Sequence, residues 1–278
     1  MFVQSYLLAR DAYRRFNANY GWAIASHIAL STLMSLFPFL ILVTAIAGFI
    51  GSKNLADEVA RILIEAWPAE VAQPIATQMH DVLTTARGDL LTIGVVLAVY
   101  FSSSGIESVR IGLNRAYNGT EPRSWWKLQL ESISYVILGA VALLAMAFLV
   151  VLGPLIFATA VRYVAWLAPF SPLVSFLRIA VASIVLIFAL IFVHKFLPAG
   201  HRTMIDILPG VLFTLIGWMV AGEVFGRYLA AFASSYVTYY AGLASAMIAL
   251  VFLYLTASIF IFGGELNAAI REARKPSA

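Results

Sequence analysis

Long apolar windows, separated by short polar segments, constrain this chain more than any other feature of its sequence. Six of them can be drawn, over residues 22–50, 90–101, 133–160, 173–197, 205–225 and 240–263. Crossing the roughly 30 Å hydrocarbon core of a bilayer takes about 20 mostly apolar residues, and every window except the second has that length. The sequence therefore predicts an all-α polytopic membrane protein with about six transmembrane helices.

Composition supports this interpretation and excludes several classes of protein. Of the 278 residues, 62% are hydrophobic and only 12% are charged, whereas a soluble domain carries about a quarter charged residues. The chain has no cysteine, which excludes disulfides, thiolate metal sites and cysteine nucleophiles. The sequence predicts one membrane domain over residues 1–278.

The distribution of basic residues predicts the orientation. An even number of spans puts both termini on one side, and in this arrangement that side holds twelve of the 18 Lys and Arg residues. Because cytoplasmic loops are enriched in Lys and Arg, we expect both termini in the cytoplasm. Residues 1–20 then form a juxtamembrane amphipathic helix, residues 52–89 an external loop of short amphipathic helices, and residues 268–278 a cytoplasmic tail.

The second window is too short to cross a bilayer by itself. Its 12 residues, 90–101, span about 18 Å as a helix, and Ser104 with Glu107 has the spacing of a capping box. We therefore predict a short broken second span in which a new helix begins at Gly105 and ends at Asn118-Gly119. The helix N-terminus at Ser104 could hold a phosphate, with Arg110 or Arg115 as the counter-charge. The alternative is one tilted span that ends in a bent interfacial helix.

Polar residues in the apolar windows are candidates for a binding site, because an ionisable group inside a membrane is costly. The candidate substrate-binding residues are His27, Ser31, Ser35, Ser104, Glu107, Arg110, Asn114, Glu223, Arg227, Tyr254, Glu265 and Asn267. Each has a purely structural alternative. The stripe of His27, Ser31 and Ser35 suits helix packing, the pair Glu223 and Arg227 suits an intrahelical salt bridge, and Glu265 near a helix end could snorkel into water.

Signatures of catalysis are missing from the sequence. It has no HExxH, no GxSxG, no phosphate loop and no dinucleotide-binding glycine pattern. Its four histidines are not spaced as a cluster of metal ligands, and its basic residues are scattered over short loops rather than gathered in a groove for phosphates. We therefore expect no catalytic residues, no metal or cofactor and no nucleic-acid partner.

Several segments give the chain a resemblance to a known family. They are ALSTLMSLFP at 29–38, GLNRAYN at 112–118, the pairs at 197–198 and 209–210, and the stretches 225–228, 235–236, 239–244, 252–255 and 263–267, the last reading GGELN. On these residues the chain resembles the YihY/BrkB family of bacterial inner-membrane proteins, once mislabelled as ribonuclease BN. The resemblance implies six helices and the bacterial inner membrane, and it implies no settled activity.

Three functions stay open at this point. The first is transport or flipping of an amphipathic substrate such as a lipid, through a polar cavity lined by the first, second, fifth and sixth spans. The second is a cation/proton antiporter in which Glu107, Glu223 or Glu265 exchanges a proton for an ion. The third is a scaffold whose external loop docks a periplasmic protein. Small-residue steps at Gly222 and Gly242 would pack helices within one chain or between copies in a homo-oligomer.

Overall fold

Every regular element of the described chain is helical. The computed structural model describes residues 2–49, 91–240 and 244–274, and within these residues it contains no strand. The α-helices are α1 (Phe2–Ala18), α2 (Gly21–Phe49), α3 (Leu91–Ala116), α4 (Trp125–Tyr163), α5 (Ser171–Phe196), α6 (Met204–Tyr240) and α7 (Ala244–Ala273), with a 3-10 helix at Ala165–Phe170 before α5. The predicted external loop at 52–89 lies outside the described residues. The all-α fold is confirmed.

Three of these helices are long and apolar enough to cross a membrane. Their apolar stretches are Trp125–Met146 in α4, Met204–Phe232 in α6 and Ala246–Ala273 in α7. At 1.5 Å per residue the shortest of them, with 22 residues, is about 33 Å long. Shorter apolar stretches occur in Gly21–Leu36 and Ala180–Phe196. These counts apply to the described residues.

The helices run alternately up and down. The start of α2 lies beside the end of α7, where the Asn19 side chain reaches Glu265, and the start of α6 reaches the same end of α7, where Gly210 bonds Asn267. The ends of α3 and α5 come together there as well, at Tyr117 and His194. The ends of α3, α5 and α7 and the starts of α2 and α6 therefore meet at one end of the bundle.

Helix α1 folds back onto the bundle through a tight turn. Tyr20 has a left-handed backbone with φ of 58°, and a side chain at Gly21 would overlap the ring of Phe16. Phe16 is buried and packs edge-on against Trp22, and Arg15 pairs with Glu272 at 3.1 Å. Residues Phe2–Ala18 are thus helical and lie against α7, and the juxtamembrane position of the segment 1–20 stays a prediction. The segment 268–278, predicted as a tail, continues α7 as far as Ala273.

The predicted break in the second span is wrong. Helix α3 is continuous over 26 residues, about 39 Å at the α-helical rise. Ser104 does not cap a helix, because its hydroxyl donates to the carbonyl of Phe101 at 2.7 Å, and such bonds within the helix let serine stay in a helix interior. Gly105 serves packing, since a Cβ there would lie 2.7 Å from the Ser35 hydroxyl of α2. The predicted stop is confirmed, because α3 ends at Ala116 and Asn118 has φ of 52°.

Candidate functional site

Four of the segments that carry the family resemblance meet at one end of the bundle. They are residues 112–118 at the end of α3, 197–198 after α5, 209–210 at the start of α6 and 263–267 near the end of α7. We call this region the polar end and define it by Asn114, Tyr117, His194, Arg202 and Asn267. The last of these is almost fully buried although it is polar, so its side chain must find hydrogen-bond partners within the protein.

A chain of hydrogen bonds joins four helices at the polar end. The backbone N–H of Gly210 donates to Asn267 Oδ1 at 2.6 Å, and Asn267 Nδ2 donates to Tyr117 Oη at 3.0 Å. Tyr117 Oη lies 2.9 Å from His194 Nδ1. Burial raises the pKa of Tyr117 to about 12, so the hydroxyl keeps its proton, and the tautomer of His194 decides which of the two atoms donates. His194 Nε2 is buried and has no partner among the described atoms.

Close helix contact makes this chain of hydrogen bonds possible. A Cβ at Gly210 would overlap the carbonyl oxygen of Gly263, and a Cβ at Gly263 would lie 2.8 Å from the carbonyl oxygen of Gly210. Two glycines thus let the backbones of α6 and α7 touch, as small residues do at contacts between membrane helices. Asn267, four residues after Gly263, can then reach the backbone of α6.

Asn114 ties the two loops of the polar end together. Its Oδ1 accepts a hydrogen bond from the Ala199 N–H at 2.6 Å, and its Nδ2 donates to Glu121 at 2.9 Å. Arg123 pairs with Glu121 at 2.7 Å and with Glu131 at 2.6 Å. The Arg123 guanidinium lowers the pKa of the Glu121 carboxyl to about 2, so Glu121 is ionised at any physiological pH.

A pocket of about 290 Å³ opens between these two loops. Its lining consists of Pro122, Arg123, Lys195, Phe196, Pro198, Ala199, Gly200, His201 and Arg202. We call it the basic pocket, since it has three cationic side chains and a histidine and no carboxylate in its lining. Phe196 is half exposed, so an apolar surface adjoins the cationic one.

Arg202 is the buried cation of the basic pocket, with only 7% of its surface exposed. Its guanidinium donates to the carbonyls of Ala199 at 2.6 Å and of Pro198 and Gly200 at 3.3 Å. It also lies over the Tyr117 ring, 4.2 Å from the centroid, an attractive cation–π distance. In the described part of the chain neither Arg202 nor Lys195 has a carboxylate within ion-pair distance, and the buried Nε of Arg202 has no acceptor.

A buried carboxylate lies at the same end, beside α1. Glu265 is fully buried, and one of its oxygens accepts from Asn19 Nδ2 at 2.8 Å. The other oxygen has no hydrogen-bond partner among the described residues. Glu265 therefore does not snorkel into water, because α1 covers it. Asn114, Glu265 and Asn267 are the predicted site residues that the structure gathers at this end.

The remaining candidates are dispersed along the bundle. Ser35 packs on Gly105, Ser31 is half buried and His27 is exposed, so this stripe contributes mainly to the contact between α2 and α3. Tyr254 is half buried and its ring lies 6.3 Å from that of Trp22.

On α3 and α6 the charged candidates are held locally. Arg110 is buried and donates to the carbonyl of Leu128 at 3.0 Å, and Glu107 is half buried. Arg110 thus faces the first turn of α4, and the helix N-terminus predicted at Ser104, with which it was to share a phosphate, does not exist because α3 is continuous there. Glu223 and Arg227 form an ion pair of 2.7 Å on the exposed surface of α6.

Sequence reasoning missed Tyr117, His194, Lys195 and Arg202. Tyr117 lies inside the segment 112–118 that carries the resemblance, but an aromatic residue near a helix end does not by itself indicate a site. The other three lie within nine residues of one another, a concentration of basic side chains at a helix end that could have signalled the pocket. In the described chain, no group of three or more histidine, aspartate or glutamate side chains is placed to hold a metal ion.

Comparisons with known proteins place this architecture in a family. The family model described as virulence factor BrkB matches residues 12–278. YfkH of Bacillus subtilis, named as a ribonuclease-like protein, is 26% identical over 266 residues, which cover 96% of each chain. The UPF0761 membrane protein RC1_0578 of Rhodospirillum centenum is 27% identical over 269 residues, or 96% of this chain and 58% of that protein. No solved structure matches the chain.

Proposed function

This chain belongs to the BrkB family of membrane proteins, and we propose that it binds an amphipathic substrate such as a lipid and moves it across the bacterial inner membrane. Both termini are then cytoplasmic, in keeping with the excess of Lys and Arg at the polar end. The basic pocket thus lies at the cytoplasmic surface.

The amphipathic lining of the basic pocket carries this proposal. Lys195 and Phe196 are consecutive residues at the end of α5, so a cation and a half-exposed aromatic ring adjoin at the end of an apolar helix. A lipid presents the same pair of surfaces, a polar headgroup followed by an apolar chain. A headgroup in the pocket would leave its acyl chains against the apolar exterior of the helices, where hydrocarbon is the solvent.

Flipping of a labelled phospholipid by the purified protein in vesicles tests the proposal. Dithionite reduces fluorescent headgroups in the outer leaflet only, so a flippase raises the reducible fraction above that of protein-free vesicles. We expect the full chain to raise it and Lys195→Gln to raise it less. Lys127→Gln, an equal change of charge at an exposed residue that does not line the pocket, serves as the control. A reducible fraction equal to that of empty vesicles would refute the proposal.

A cation/proton antiporter is the second candidate, and Glu265 is the observation that favours it. One oxygen of this buried carboxylate has no partner among the described residues, so it is available to a proton or to a cation, as in the carboxylates of membrane pumps. Sodium flux driven by an imposed proton gradient, lost in Glu265→Gln but retained in Glu223→Gln, would establish this function. Flux no higher than that of protein-free vesicles would exclude this function, and equal flux in all three proteins would exclude Glu265 as its carrier.

The ribonuclease-like name belongs to YfkH, and we propose no nuclease activity for this chain. The scaffold hypothesis depends on the loop at 52–89, which lies outside the described residues, and it stays a prediction.

A further inference from the structure

We propose that the basic pocket binds a phosphoryl group, so that the substrate is an amphiphile with a phosphate-bearing headgroup. The inference deepens the proposed function and rests on it, because it names the class of headgroup that the same pocket accepts. It is carried by the charge of the pocket, by the donors left free in it and by its size.

The uncompensated charge of the pocket comes from two residues. Arg123 is neutralised by Glu121 and Glu131, which it contacts at 2.7 and 2.6 Å. Lys195 and Arg202 have no carboxylate partner within the ranges that the structure describes. A buried charge without a counter-ion is costly, so an anion in the pocket would relieve that cost at Arg202.

The free donors favour a tetrahedral anion over a planar carboxylate. A carboxylate is bound best by the parallel N–H groups of an arginine fork. In Arg123 these groups already bond carboxylates and the Leu197 carbonyl, and in Arg202 both terminal nitrogens bond backbone carbonyls. The Nε–H of Arg202 has no acceptor but is shielded from the pocket, and its Nη2 makes one hydrogen bond, to the Ala199 carbonyl. The ammonium group of Lys195 is therefore the donor of the pocket that stays most open to a ligand. A point donor of this kind suits the several oxygens of a phosphate, for which lysine is a common ligand.

The size of the pocket limits how much of the amphiphile it holds. A volume of about 290 Å³ is at the lower limit for small-molecule sites, roughly 300 to 1,000 Å³. It accommodates a phosphate with a small substituent and excludes acyl chains. The phosphate would therefore bind inside the pocket, while the acyl chains remain outside it beside Phe196.

Binding of short-chain lipids to the detergent-purified full chain tests this inference without requiring transport. Dioctanoyl phosphatidic acid presents a phosphate monoester, dioctanoyl phosphatidylcholine a zwitterion and dioctanoyl glycerol no phosphate. We expect affinity to fall in that order, and Lys195→Gln to weaken binding of phosphatidic acid about tenfold, as for the loss of one charge-assisted hydrogen bond. Lys127→Gln should leave the affinity unchanged.

Arg202→Gln is a second variant, paired with a thermal unfolding measurement because Arg202 also holds the loop at 198–200. Equal affinity for all three lipids, or an affinity that Lys195→Gln does not change, would overturn the inference. Inorganic phosphate distinguishes the source of the phosphoryl group. Much weaker binding of inorganic phosphate than of phosphatidic acid supports a lipid headgroup, and equal Lys195-dependent binding of both overturns the lipid assignment in favour of the free anion.

The two proposals can fail separately. Lys195-dependent binding of phosphatidic acid without flipping in vesicles would retain the phosphate site and refute transport. Flipping that does not depend on a phosphate headgroup or on Lys195 would retain transport and refute the phosphate site.

Discussion

The polar end and the surface of α6 around Glu223 use the same kinds of residue with opposite results. Each region has two glycines and an ion pair nearby. The glycines of the polar end touch across two helices, and those of α6 are four residues apart on one helix. At the polar end, Gly210 and Gly263 bring two backbones together and Asn267 bonds across them. On α6, a Cβ at Gly222 or Gly226 would have nothing within 4 Å among the residues that the structure describes, and Glu223 and Arg227 are 65% and 80% exposed. Residue type and spacing thus do not distinguish a locked helix contact from an open surface, and the contact has to be observed.

The largest expected effect is that of closing the space between α6 and α7. Gly210→Ala puts a methyl group into the Gly263 carbonyl, and because both partners are backbone the helices must move apart. We expect a loss of at least the roughly 1 to 3 kcal/mol typical of overpacking, read as a lower thermal unfolding midpoint in detergent.

Gly226→Ala is the matched control for Gly210→Ala on the same helix. Alanine is favoured over glycine in a helix interior by about 0.5 to 1 kcal/mol, so the midpoint should stay the same or rise. Equal losses for the two variants would remove the distinction between the polar end and the open surface of α6.

A smaller effect is expected from interrupting the hydrogen-bond chain. Tyr117→Phe keeps the ring under Arg202 but removes the hydroxyl, which leaves Asn267 Nδ2 and His194 Nδ1 without their shared partner. Leaving a buried polar group unsatisfied costs about 1 to 3 kcal/mol. Tyr254→Phe is the control, because no hydrogen bond of its hydroxyl is present among the described residues. A Tyr117→Phe protein as stable as the wild type would show that this chain of hydrogen bonds contributes nothing to stability.

The fold could be predicted from the sequence because hydrocarbon imposes a simple rule on it. Backbone groups in a bilayer must bond one another within a helix, so apolar windows such as 133–160 and 205–225 predicted α4 and α6. This rule does not decide whether the second span breaks at Ser104. A serine in an apolar run either caps a new helix or bonds the preceding turn, and the choice depended on the neighbouring α2, which needs a glycine at position 105.

The candidate site was predictable only in part, for a related reason. Asn114, Glu265 and Asn267 stood out because polar side chains near apolar windows are unusual. Tyr117 and Lys195 did not, since an aromatic residue on an apolar face and a lysine at a helix end are both ordinary. Tyr117 is important because it contacts His194, 77 residues further along the chain, and helical spacing does not reveal such a contact.

The ion-paired loop of the polar end should make stability depend on pH in the acid range. Arg123 lowers the pKa of Glu121 from 4.5 to about 2, so the folded protein holds Glu121 ionised where the unfolded chain would protonate it. The resulting stabilisation is complete above about pH 4.5 and is lost as the pH falls towards about 2. The thermal unfolding midpoints of the wild type and Glu121→Gln should therefore approach one another as the pH is lowered from 6 to 3. A difference that is constant over this range would contradict the assignment.

The smallest effect is expected at the exposed pair on α6, and it sharpens the contrast with Arg123. A double-mutant cycle on Glu223→Gln and Arg227→Gln should give a coupling of about 0.3 to 0.5 kcal/mol, the usual contribution of a solvated pair four residues apart on a helix. The same cycle on Arg123→Gln and Glu131→Gln should give more, because those side chains are only 22% and 34% exposed and are screened less by water. A coupling at Glu223 as large as that at Glu131 would mean that lipid or another protein surrounds this part of α6, since removal from water is what strengthens an ion pair of the same length.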